Sequence, residues 1–262
     1  MSKQLLIYET AVPVSASRHA NVSLAPSEDF AFSAGINAVP LMAVEFLRAA
    51  VEYAIVFTVA GEDVMPAVVL GVRGDQNLYL ASDGQWGAKY VPAFIRRYPF
   101  VFSRSNDGKT LTLCIDEKHP GVNRDGKGER LFSDDGKPAP YVERVLKFLQ
   151  EYQAQFERTR QFGRKVFELS LLEPMQAQVA TPSGEKLSLN GFHGVNREKL
   201  RQLGGEALAS LARTDELELL YLQMHSMRNF VDVKDRLIGS LAEDEASAPA
   251  ASAATETADS AQ

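Results

Sequence analysis

The residues best suited to binding chemistry lie between Asp83 and Phe100. This stretch holds the only tryptophan, Trp86, with Tyr90 and the paired Arg96 and Arg97. An indole and a phenol make a flat recognition floor, and a guanidinium grips a carboxylate or phosphate through two parallel hydrogen bonds. The competing reading is structural. The aromatics would anchor a helix from Pro92 to about Arg97 against a sheet, and the arginines would satisfy its last carbonyls. Tyr90, Phe94 and Tyr98 are spaced four apart, which places them on one helical face. Arg96 and Arg97 lie about 100° apart around that helix, so at least one must leave the apolar face.

Asp116 is the acidic candidate, because it ends a strand that reads as buried. It opens the run Asp116-Glu117-Lys118-His119, and a carboxylate beside an imidazole suits general acid–base work. His119 leads into Pro120 and a polar loop, however, so a solvated turn is the simpler reading. The candidate ligand- or partner-binding set is Trp86, Tyr90, Arg96, Arg97 and Asp116. No catalytic residue is assigned.

Other chemistries find little support. His19, His119, His193 and His225 lack the i, i+4 spacing of a zinc helix. The loop Asn123 to Glu129 has the composition of a calcium loop without its spacing, and Lys127 sits inside it. Neither a phosphate-binding glycine loop nor a nucleophile elbow occurs. No metal and no cofactor is therefore expected. Cys114, the single cysteine, sits on an alternating strand and reads as a buried packer.

The charge is unevenly placed. Lys and Arg total 28 against 34 Asp and Glu, a net charge of −6. Residues 241–262 carry Glu243, Asp244, Glu245, Glu256 and Asp259 and no base, which leaves the rest near neutral. The broad positive field needed for non-specific nucleic-acid binding is missing. The best apolar run, Tyr53 to Ala60, falls well short of the about 20 residues a membrane-spanning helix needs. The N-terminal residues lack a secretory apolar core. A cytoplasmic location is expected, with an uncleaved C-terminal export signal as the open alternative.

These residues need positioning elements. Leu5 to Tyr8 reads as a short strand. Pro40 opens a helical pattern with Leu41, Val44, Phe46, Leu47 and Val51 apolar and Glu45, Arg48 and Glu52 facing elsewhere. Tyr53 to Ala60 reads as a buried strand. Ala67 to Val72 and Asn77 to Ala81 read as a hairpin about Arg73-Gly74, and Thr110 to Ile115 as a further strand. Residues 116–140 form the longest loop. A long amphipathic helix follows, about Pro140 to Arg160. A second hairpin flanks Thr181 to Glu185. Asn196 caps a short helix, Gly204-Gly205 breaks the next, and Asp215 with Glu218 suggests a capping box for the last. From Ala242 the chain lacks the apolar surface to offset ordering entropy and reads as a disordered tail.

The ordered series of segments resembles the SapC family, named after a protein linked to bacterial surface layers. The matching pieces include Ser17 to Leu24, Val39-Pro40-Leu41 with Glu45-Phe46, Tyr53 to Phe57, Asn77 to Leu80, Trp86 to Phe100, Leu113 to Asp116 and Leu220 to Ser226. The run from Tyr90 to Phe100 is the most specific. The resemblance spans about residues 5–238. It implies an accessory or structural role in surface-layer biogenesis, or in uptake and modification systems built around outer-membrane receptors. It brings no catalytic residues with it.

The expected fold is α+β: a bent, mainly antiparallel sheet packed by helices. Residues 1–240 are expected to form one domain and 241–262 a tail. Two functions stand beside each other. One is a non-catalytic accessory protein with protein partners. The other is an enzyme or small-molecule-binding protein with a pocket near Trp86, Arg96, Arg97 and Asp116.

Overall fold

The computed structural model describes residues 6–105, 108–181 and 183–247. In chain order its elements begin with β1 (Ala11–Pro13), α1 (Ala16–His19), β2 (Ser23–Leu24), β3 (Ala38–Pro40) and α2 (Phe46–Ala49). Next come β4 (Ile55–Ala60), β5 (Asp63–Val69), α3 (Ala93–Arg96), β6 (Phe100–Arg104), β7 (Leu111–Asp116), β8 (Val122–Asn123) and β9 (Glu129–Arg130). The remainder is α4 (Pro140–Glu168), β10 (Leu172–Ala180), β11 (Lys186–Val195), α5 (Arg197–Arg201), α6 (Gly205–Arg213), α7 (Glu216–Ser226) and α8 (Phe230–Ser247).

The fold is α+β with antiparallel strands. They sort into three sheets, ordered β1-β7-β6, β10-β11-β4-β5-β3 and β8-β2-β9, so the bend expected of one sheet is a division among three. The five-stranded sheet carries the main core. Phe57 and Val68 from its strands pack with Phe162 and Val166 of α4, Leu220 of α7, and Val233 and Leu237 of α8. A smaller core joins Leu24, Phe100 and Ile115 to Val142 and Leu149 of α4.

One helix therefore serves both cores. Pro140 stands in its first turn, where the missing N–H costs nothing. At about 1.5 Å per residue its 29 residues span roughly 44 Å. It stops in a left-handed turn at Ser170, where φ is 55°. Leu171 N donates to Val166 O at 3.2 Å and Ser170 N to Phe167 O at 2.8 Å, a Schellman closure with serine where glycine is usual. The expected end near Arg160 is too early. The polar run Glu157 to Gln161 hides the continuation, which is held by buried Phe162, Gly163 and Val166.

Several local expectations change. In place of the first expected hairpin, one joins β4 to β5 about Gly61, whose φ of 64° suits glycine. Asn77 to Ala81 is a turn. Asn77 Nδ2 donates to Ser33 Oγ at 3.0 Å, and its Oδ1 accepts from Tyr79 N at 3.0 Å. Pro40 ends a strand instead of opening a helix, because pairing continues with Leu41 N donating to Pro66 O at 3.0 Å. Asn196 caps α5 through Lys199 N as expected. Asp215 precedes α7 in a left-handed conformation and makes no side-chain cap. The helix α8 continues past Leu241 to Ser247, so the first part of the expected tail is helical. Residues 1–5 and 248–262 lie outside the described residues; of the first strand candidate, Leu5 to Tyr8, Leu6 and Ile7 form a turn instead of a strand.

Candidate functional site

The site begins with the helical turn after β3. A 3-10 turn at Ala43–Glu45 leads into α2, and the apolar residues there divide between two faces. Leu41 and Phe46 are buried, whereas Val44, Leu47 and Val51 are 57%, 65% and 64% exposed. Glu45, expected to face away from the apolar side, is buried. Its Oε2 accepts from Met42 N at 2.8 Å, and its Oε1 accepts from Tyr90 Oη at 2.7 Å and Ala93 N at 2.8 Å. Three donors repay the loss of water around the carboxylate. Those donors fix the segment 90–93 to the turn.

The five sequence candidates land in different surroundings. Trp86 Nε1 donates to Tyr53 Oη at 2.7 Å, and Tyr53 Oη donates in turn to the carbonyl of Tyr90. The indole stacks on Tyr79 at 6.4 Å and meets Phe30 edge-on at 5.7 Å. It is one member of an aromatic pillar. Asp116 is fully buried and accepts from Glu9 N at 2.7 Å, Thr10 N at 3.2 Å and Lys118 N at 3.0 Å. It ties the N-terminal segment to the end of β7. Arg97 is 4% exposed, with its guanidinium carbon 4.2 Å from the Phe94 ring centre and 5.0 Å from that of Tyr152.

Of the five, Tyr90 and Arg96 share a concavity. A groove of about 280 Å³ runs between the 42–48 turn and α4, where Arg48, Tyr90, Arg96, Phe148, Glu151 and Gln155 line it. Arg96 is exposed, yet its position is set. Its Nε donates to Val91 O at 3.0 Å, and its guanidinium carbon lies 5.5 Å from the Phe148 ring centre and 5.9 Å from that of Tyr90. Burial, followed by Glu45, holds the Tyr90 phenol far above its ordinary value, so it stays a donor and not a base. Gln155 Oε1 is shielded in the groove without a hydrogen-bond partner.

The helix α3 is shorter than expected, with Pro92 and Arg97 as its caps. Of the three spaced aromatics, Phe94 is fully buried and Tyr90 and Tyr98 are half-buried. Tyr98 stacks on Phe32 at 4.0 Å. Among the described residues, no group of three His, Cys, Asp or Glu side chains is placed to hold a metal ion. None of these helices is long and apolar enough to cross a membrane. Cys114 is buried, and burial raises its thiol. The exposed stripe, Arg48 and Phe148 were not legible as a site, because they converge from segments about a hundred residues apart.

The SapC family model matches residues 14–233, well over half of the chain. The chain belongs to the SapC family. Neither a curated protein nor a solved structure matches it. The SapC match contains the groove, the apolar stripe and all five candidate residues.

Proposed function

We propose that this SapC-family chain is a non-catalytic accessory protein that works by holding a protein partner. Surface-layer biogenesis and nutrient uptake or modification systems are the proposed settings, and the cytoplasm the proposed compartment. Residues 1–240 act as one domain in this view. The observation that carries it is the row Val44, Leu47 and Val51, each more than half exposed and spaced 3 and 4 apart along the 3-10 turn, α2 and the turn that follows it. Three large aliphatic side chains turned to water in one row favour a covering surface. The groove with Arg96 and Arg48 adjoins this row, since Val44 lines it. An arginine fixed by a carbonyl and two rings can grip a partner carboxylate at small entropic cost.

The same groove supports a second reading as a small-molecule site, favoured by Tyr90 and Arg96 lining it together. One experiment separates the two. Native cells are fractionated and the tagged chain is captured as wild type and as Leu47→Glu. The accessory reading expects a partner that co-purifies with wild type and is lost from the variant, whose melting temperature stays the same. A partner retained by Leu47→Glu and lost from Arg96→Ala would favour the groove alone.

A further inference from the structure

A separate cleft of about 620 Å³ lies between the start of α5 and one face of α7. Glu218, Tyr221 and His225 recur at spacings of 3 and 4 on that face, and Arg228 follows three residues on, in the 3-10 turn after α7. Arg197, the first residue of α5, lines the cleft from the other side, and Met224 contributes an apolar wall. The Tyr221 side chain is 48% exposed.

The cleft carries local positive charge. Residues 1–240 are near neutral in sum, whereas this cleft gathers two arginines and a histidine against the single acid Glu218. Some exposed arginines elsewhere have carboxylate partners, Arg130 with Asp134 at 2.6 Å, Arg144 with Glu129 at 3.2 Å and Arg160 with Asp63 at 3.1 Å, whereas others, such as Arg48 and Arg96, have none among the described residues. Among the described residues Arg197 and Arg228 have none within 4.0 Å. Uncompensated guanidinium groups around an exposed phenol ring attract an anion that also offers a flat face.

We propose that this cleft binds a small soluble oxyanion carried on an aromatic or flat apolar group, a phosphate ester or a carboxylate. Arg197 and Arg228 would supply paired N–H donors to the oxyanion, and Tyr221 with Met224 would cover the apolar part. The concave shape and the volume, inside the roughly 300–1,000 Å³ typical of small-molecule sites, favour a soluble ligand over a lipid surface. The inference is independent of the partner surface formed by Val44, Leu47 and Val51.

The test titrates the full chain with phenyl phosphate, inorganic phosphate and phenol, followed by calorimetry and by the His225 ring resonances. Phenyl phosphate should saturate with a Kd below about 1 mM. Inorganic phosphate should bind more weakly, and phenol should not saturate. The double variant Arg197→Ala, Arg228→Ala should weaken phenyl phosphate at least about tenfold, equivalent to 1.4 kcal/mol. Tyr221→Ala should weaken phenyl phosphate and leave inorganic phosphate unchanged. Glu218→Gln, which removes the one acid, should tighten both anions and serves if the double variant melts early. Failure of phenyl phosphate to saturate would overturn the proposal. So would equal affinity in the double variant, or binding to phosphatidylglycerol vesicles without binding of the soluble ester.

Discussion

Adjacent arginines in this chain have opposite surroundings, and the difference is measurable. Arg97 packs its guanidinium among Phe94, Tyr152 and Tyr8, while Arg96 stands at the surface. Arg97→Ala should cost about 2–4 kcal/mol, and Phe94→Ala about 3–5 kcal/mol. Arg96→Ala should cost less than about 1 kcal/mol. Equal losses for both arginines in chemical denaturation would contradict this placement. His119 is a second residue-scale case. Burial holds its imidazole below the ordinary value of 6.5, with Asp116 and Asp29 pulling the other way. Its Nδ1 accepts from Gly121 N at 2.9 Å, a bond that only the unprotonated nitrogen makes. The unfolded chain therefore takes up a proton where the folded chain does not. The stability from this group is full above the ordinary value and is lost as pH falls below it. His119→Gln should flatten the fall in melting temperature between about pH 7 and about pH 5.5. An unchanged slope would assign the acid sensitivity elsewhere.

At the scale of elements, α4 sets the spacing of the two cores, and its closest approach is at Gly163. A Cβ there would stand 2.0 Å from the Val64 carbonyl oxygen of β5. Gly163→Ala should force the helix off the sheet and cost about 1–3 kcal/mol, read as a lowered denaturation midpoint. A neutral result would mean that the helix–sheet contact is looser than described. The start of this helix was legible from Pro140 and the stripe Val142, Leu149 and Tyr152, because local periodicity encodes it. Its end was not, because only packing against β5 explains a helix through Thr159 and Gly163. The first expected hairpin failed for a similar reason, whereas the second, flanking Thr181 to Glu185, pairs as β10 with β11. Gly61 and Gly74 both mark turns, and long-range pairing decides which turn joins strands.

The whole molecule shows the same division for function. The α+β class and the family were legible from pattern and motif order, and Tyr90 with Arg96 do share a groove. The rest of the site was not legible. Glu45 looks like an exposed charge until Tyr90 and Ala93, 45 and 48 residues on, supply its donors. Val44, Leu47 and Val51 look like core until Phe46 and Leu41 are seen to fill that place. Trp86 and Asp116 carry the right chemistry for a site but direct it to Tyr53 and to backbone N–H groups. Residues 248–262 hold no aromatic residue and no Val, Leu, Ile or Met, and alanine is their commonest residue. Deleting them should leave the melting temperature unchanged within error, and a large drop would give the tail a part in the fold.

The central claim is that the exposed row Val44, Leu47 and Val51, in and around α2, is covered by a protein partner in the cell. Site-specific photocrosslinking in native cells tests it most directly, with benzoylphenylalanine placed at Leu47 and, as a control, at exposed Lys186. A discrete adduct of defined mass at position 47, absent at position 186, is the predicted result. No adduct at position 47, or the same adducts at both positions, would contradict the account.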